Sequence, residues 1–172
     1  SKLTGALPAI DGSALTNLSA GKVLQVVSVK KTDTFSTTSS TLTNITGLSA
    51  SITLAATSKV LVTGSVFAAC NYSFGIEITR NGSAITYRGD AAGSRQRIIA
   101  QVYASNSTST GNVVSFSFID EPSSASEQTY QVRTYAEVGS GGTFVNRNAR
   151  DADGTVVDGR GASGIVLQEI GA

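Results

Sequence analysis

Three stretches of this chain bring together residue types that can do chemistry. Tyr87, Arg88, Asp90, Arg95 and Arg97 border one loop. Arginine and tyrosine are the types that dominate binding hot spots, so the loop reads as a surface-binding candidate. Within it Arg88-Gly89-Asp90 is a tripeptide that some animal receptors read, but three common residue types carry little specificity. A second stretch, Asp151-Ala152-Asp153-Gly154 with Asp158 beyond, has the first carboxylates of a calcium-binding loop. It lacks the third ligand position and the bidentate Glu at position twelve, so no metal is assigned firmly and an Asp- and Gly-rich turn is the simpler reading. The third, Gly159-Arg160-Gly161-Ala162-Ser163-Gly164, matches the dinucleotide fingerprint in spacing alone. That fingerprint follows a strand and opens a helix whose N-terminus holds the pyrophosphate, whereas here the glycines precede a strand.

What the chain lacks narrows the field further. It contains no His, which removes the usual general base, triad orienter and metal ligand. The nucleophile-elbow pattern G-x-S-x-G does not occur, and the twelve Asp and Glu are scattered over turns and strand ends. We therefore expect no enzyme and no cofactor. Cys70 is the single cysteine and closes the apolar run from Val60, so it should be a small core residue. A formal net charge of +1 gives no field that would steer the chain to nucleic acid or to a membrane surface. Nor is there a run of apolar residues long enough to span a bilayer.

The elements that must position those loops are strands. Val23 to Val29, Lys59 to Ala68, Tyr130 to Ala136 and Gly164 to Ile170 all read as β. Lys59 to Ala68, with apolar residues on both faces, should be central. Val114, Phe116 and Phe118 face one way, with Ser115 and Ser117 opposite. Thr41 to Ala55, interrupted by Gly47, suggests two short strands meeting at a bend or bulge. Asn81-Gly82 between Phe74–Arg80 and Ser83–Tyr87 is the strongest hairpin signal, because a type I′ turn needs positive φ at both central residues. About ten strands at intervals of roughly 8–12 residues predict an all-β chain. The architecture expected is an antiparallel β-sandwich of jelly-roll or related Greek-key type.

The first residues behave differently. Leu3, Leu7, Ile10, Leu15 and Leu18 recur every three to five positions among Gly, Ser, Thr and Asn, with neither helical nor strand period. Such a segment cannot bury its apolar side chains on itself, and the simplest partner is another copy of the chain. The expected division is an extended neck or trimerisation arm over residues 1–22, then a sandwich head over 23–172.

The run Leu7-Pro8-Ala9-Ile10-Asp11-Gly12-Ser13-Ala14-Leu15-Thr16-Asn17-Leu18, followed by Gly21-Lys22-Val23-Leu24-Gln25-Val26-Val27, resembles the opening of many bacteriophage tail-fibre and related virion proteins. Gly89 to Arg95 and Ile165 to Ile170 are similar to the same group. None of these strings is a catalytic signature. The resemblance implies a homotrimeric component of the virion exterior, with a neck and a jelly-roll head of the tumour-necrosis-factor-like kind. Such a head would attach to a host-surface structure, a glycan being the expected ligand. An alternative is a capsid decoration or fibre-attachment protein whose partners are other virion proteins. From a different class comes a calcium-dependent carbohydrate-binding domain using Asp151, Asp153 and Asp158.

Overall fold

The computed structural model describes residues 22–55, 58–103, 110–137, 141–154 and 156–171. The proposed arm contacts Leu3, Leu7, Ile10, Leu15 and Leu18 lie outside the described residues. Those described form β1 (Val23–Lys31), β2 (Phe35–Thr37), β3 (Thr43–Thr53), β4 (Lys59–Cys70), β5 (Ser73–Arg80), β6 (Ser83–Ala84), β7 (Ala100–Tyr103), β8 (Asn112–Asp120), β9 (Glu127–Ala136), β10 (Thr143–Val145) and β11 (Ser163–Ile170).

Two antiparallel sheets face each other. In the first, β1 pairs with β11, β11 with β4, and β4 with β8. The short β10 continues the line of β11 along the far end of β4 and carries β2 on its outer side. In the second, β3 pairs with β9 and β9 with β5, while β7 and β6 share the remaining edge of β5. The eight principal strands thus pair first with last and inward from there: β1 with β11, β3 with β9, β4 with β8, β5 with β7. One long hairpin has been rolled into two four-stranded sheets, which is the jelly roll that the strand spacing favoured.

Period-two burial explains why these residues make these strands. In β8, Val114, Phe116 and Phe118 are buried and Ser115 and Ser117 exposed. Val60, Val62 and Val66 of β4 meet Phe74, Ile76 and Ile78 of β5, Tyr130 and Val132 of β9, and Ile165 and Leu167 of β11 in one core, with Cys70 buried at its end. Within Thr41 to Ala55 there is one strand, β3, with a break in register between Asn44 and Ser49, and Gly47 supplies the positive φ of the bulge. Asn81 (φ 50) and Gly82 (φ 79) make the hairpin turn expected of them. Its second arm stops after Ala84, where a strand to Tyr87 was expected. Ile85 is buried, and the Tyr87 ring stacks on Phe118 at 4.5 Å. Burying Ile85 and stacking Tyr87 on Phe118 draw the chain off the sheet edge.

Polar groups tie the layers at two places. Asp120, at the end of β8, accepts hydrogen bonds from Arg80 of β5 and from the Tyr130 hydroxyl of β9 (2.7 Å), so one carboxylate joins both sheets. Burial, reinforced by Asp120, pushes the Tyr130 phenol far above its ordinary range. Glu169 of β11 is buried and accepts from Gln25 Nε2 (2.6 Å) and from the Ala55 amide (2.7 Å). The bond from Gln25 is the main cause that holds its carboxyl below the ordinary value of 4.5.

A carboxyl depressed in the folded state stabilises the fold above its unfolded value and loses that contribution as pH falls through the folded one. Urea midpoints of the native chain and of Glu169→Gln should therefore differ most above the ordinary Glu value of 4.5 and converge as the solution is acidified below it. Sterics give a second expectation. A Cβ on Gly64 would lie 2.6 Å from Phe116 Cζ and against the Gly164 carbonyl, whereas one on Gly159 would meet nothing. Gly64→Ala should cost about 1–3 kcal/mol, as overpacked cores do. Gly159→Ala should stay within about 0.5 kcal/mol in the same denaturation assay.

Candidate functional site

The residues singled out in the loop beyond β6 do not share one role. Arg88 turns inward: its Nη1 donates to Glu77 Oε1 at 3.4 Å, while Arg133 of β9 donates to Glu77 Oε2 at 3.3 Å. Glu77 sits on β5, only 2% exposed, directly across the ladder from Arg133. A buried carboxylate needs such partners, because an unpaired charge in the interior costs several kcal/mol. Arg133 also donates to the Leu42 carbonyl at 2.6 Å and so fixes the start of β3. The arginine of the Arg88-Gly89-Asp90 tripeptide is thereby committed to the fold. Tyr87 is half-exposed but stacked on Phe118.

Beyond Arg88 the chain closes into a small irregular hairpin. The Gly89 amide donates to the Ile98 carbonyl (3.0 Å), and Arg97 Nε donates back to the Gly89 carbonyl (2.7 Å). Arg97 therefore braces the neck of the loop, and Asp90 and Arg95 remain exposed at its tip. The base of the loop lies over Gly75, where a Cβ would fall 2.6 Å from both Ile98 Cδ1 and the Tyr135 ring. The missing side chain on β5 is what lets Ile98 and Tyr135 pack there.

This packing leaves an open depression of about 510 Å³ lined by Arg95, Gln96, Ile98, Gln101 and Tyr135, among others. Gln101 and Tyr103 point outward on β7, and Gln101 is steadied by a 3.3 Å bond to Ser73 Oγ. Burial, helped by the charge of Glu137, raises the Tyr135 hydroxyl above its ordinary value. A guanidinium and two amides above an apolar floor can together hold a polyhydroxylated ligand through hydrogen bonds. Of the five candidate loop residues, only Arg95 lines this hollow. Gln101 and Tyr135 were not foreseen: each reads as an ordinary strand residue, and only the fold brings them beside Arg95.

The three aspartates are placed among arginines. Asp158 accepts from Arg150 through both oxygens and from Asn148 Nδ2 (2.7 Å), and the Arg150 bonds are the main reason its carboxyl lies below the ordinary range. Asp151 pairs with Arg160 at 2.7 Å and with Arg147 at 3.7 Å. Asp153 is exposed and joins neither pair. Among the described residues no three His, Cys, Asp or Glu side chains converge. Gly159 to Gly164 forms the approach to β11, with the Gly161 amide donating to the Asn146 carbonyl at 3.1 Å.

No protein-family model matches this chain. No curated protein matches it either. Among solved structures it is similar to one described as the structure of infectious bursal disease virus Gx strain, at 17% identity and a TM-score of 0.50, over 96% of this chain and 38% of that one. It is also similar to the crystal structure of the infectious bursal disease virus VP2 subviral particle, at 16% identity and a TM-score of 0.45, over 86% of this chain and 33% of that one. The first likeness places the chain among jelly-roll β-sandwich domains. The chain spans well under half the length of either neighbour.

Removing the carboxylate beneath the loop separates structural from surface roles. Glu77→Ala leaves two arginines without their counter-charge and should destabilise the fold by about 3 kcal/mol, with faster hydrogen exchange at residues 86–98. Asp90→Ala, at the exposed tip, should change stability by less than about 0.5 kcal/mol.

Proposed function

We propose that this chain is a structural protein of a virus particle, displayed on its exterior as a homotrimeric head that attaches to a host-surface glycan. The observation that carries the virion reading is the jelly-roll winding, together with a likeness to a structure from a virus that covers 96% of this chain. The opening residues support a tail-fibre-type placement through their resemblance to phage fibre proteins. The arm from Leu3 to Leu18 supports the trimer, since its apolar side chains need sibling subunits.

Attachment is supported by the hollow beside Arg95, Gln96, Gln101 and Tyr135, which presents hydrogen-bond donors to solvent at the foot of a braced loop. A single shallow site of this kind binds weakly, and three copies on one trimer compensate through avidity. No reaction and no cofactor enter the reading. The second reading is a capsid decoration or fibre-attachment protein whose partners are other virion proteins.

Two measurements test the proposal together. Light scattering at micromolar concentration should return three times the 17.6 kDa chain mass. Fluorescently labelled protein should bind whole bacterial cells, and Arg95→Ala with Gln101→Ala should weaken that binding at least tenfold. A monomer would refute the trimeric head. Binding untouched by the double substitution would move the site elsewhere, and a trimer that binds no cell tested would favour the decoration reading.

A further inference from the structure

The outer face of the second sheet carries another hollow, and β9 runs from it to the one beside Arg95. Residues directly opposite in an antiparallel ladder point to the same side. The register therefore sets Asn44 of β3, Arg133 of β9 and Glu77 of β5 in one outward row. The next row holds Ser49, Gln131 and Thr79. Over these rows lies an open trough of about 410 Å³ lined by Asn44, Thr79, Gly82, Thr129, Gln131 and Arg133. The bulge of β3 shapes it, since Gln131 Nε2 donates to the Ile45 and Leu48 carbonyls at 3.0 and 3.1 Å. A Cβ on Gly82 would meet nothing, so the hairpin turn leaves that end of the trough open. Thr129, Gln131, Arg133 and Tyr135 are alternate residues of β9, the first three lining the trough and Tyr135 the hollow beside Arg95. At about 3.4 Å per residue, the line from Thr129 to Tyr135 is about 20 Å long.

Charge is distributed along this line in one sense. Each hollow has one arginine in its lining and neither has an Asp or Glu. Under the trough, Glu77 is buried and shared by Arg88 and Arg133, so two guanidiniums answer one carboxylate. At the other end, no carboxylate among the described residues lies within ion-pair distance of Arg95. Glu137, two residues beyond Tyr135, accepts from Ser73 Oγ at 2.7 Å and lines neither hollow. We propose that the two hollows are subsites of one track along β9 for a linear acidic polysaccharide. The inference rests on the attachment reading and names the class of glycan. Arg133 and Arg95 would each hold the carboxylate of one sugar, since a guanidinium meets a carboxylate through paired hydrogen bonds. The side chains of Asn44, Thr129, Gln96 and Gln101 suit the hydroxyls between. Two cationic points set apart along a strand fit a polymer that repeats its charge better than a single charged sugar. Once one subsite is filled, the second is reached within the same molecule, so a chain long enough for both binds more tightly than a short one.

Calorimetric titration of the full-length chain with oligogalacturonates of increasing length decides the matter. Affinity should rise with length until an oligomer spans both hollows, then level off. Neutral malto-oligosaccharides of matched length should bind at least tenfold more weakly, about the worth of a charge-assisted hydrogen bond. Asn44 is exposed on the rim, so Asn44→Asp adds a like charge there without touching the Glu77 pairs. That variant should bind the long oligomer at least tenfold more weakly, bringing it down to the affinity of the short one. Affinity that ignores length, neutral oligomers bound equally well, an Asn44→Asp variant that binds as the native chain does, or no binding of any oligogalacturonate would each overturn the proposal. The whole-cell assay separates the causes. If cells are still bound, and Arg95→Ala with Gln101→Ala weakens that binding, only this inference is lost. If no cell is bound, the attachment reading falls with it.

Discussion

β4 is the strand on which the rest of the sandwich depends. It is hydrogen-bonded along both edges, to β11 and β10 on one side and β8 on the other. Every other strand of the first sheet is joined to it directly or through one intervening strand. Backbone groups so deeply placed have no recourse to water, so both edges must be occupied. The close approach at Gly64, under the Phe116 ring and beside the Gly164 carbonyl, shows how tightly the three strands are drawn together. Their partners come from distant parts of the sequence, so loop-closure entropy is spent before the core returns anything, and folding should be slow for the size of the chain.

Much of that architecture was legible in the residues. The β8 alternation, the Asn81-Gly82 turn and the apolar stretch of β4 are local signals whose physics needs no partner to interpret. The jelly-roll winding followed from strand number and spacing. What escaped was short or non-local. Three residues of β2 or β10 carry no measurable period, and they are strands only because β4 extends past the end of β11 and leaves an edge to fill. β6 was read as too long because local alternation through Tyr87 gives no hint that Phe118, from another strand, would capture its ring.

The site was less legible than the fold, for the same reason. Tyr87, Arg88, Asp90, Arg95 and Arg97 are neighbours in sequence, yet the structure gives them separate tasks: stacking, pairing with Glu77, tip, hollow and brace. A glutamate between Ile76 and Ile78 in a strand buried on both faces was the available clue that an arginine must come to meet it. In the acidic loop the clue was closer. Arg147, Arg150 and Arg160 interleave with Asp151 and Asp158, and counting those cations turns the Asp- and Gly-rich turn that was expected into a set of ion pairs.

The junction at Lys22 has a mechanical meaning. β1 is an edge strand held to the sandwich by eight register pairs with β11, and the Gly171 amide donates to the Lys22 carbonyl just ahead of it. A pull on Lys22 along the strand axis would load those backbone bonds together in shear, rather than peeling them apart one after another. Resistance to forced unfolding is set by a rate, and shear across a whole ladder raises that barrier. A domain hung this way is suited to bearing a pull from its amino-terminal side.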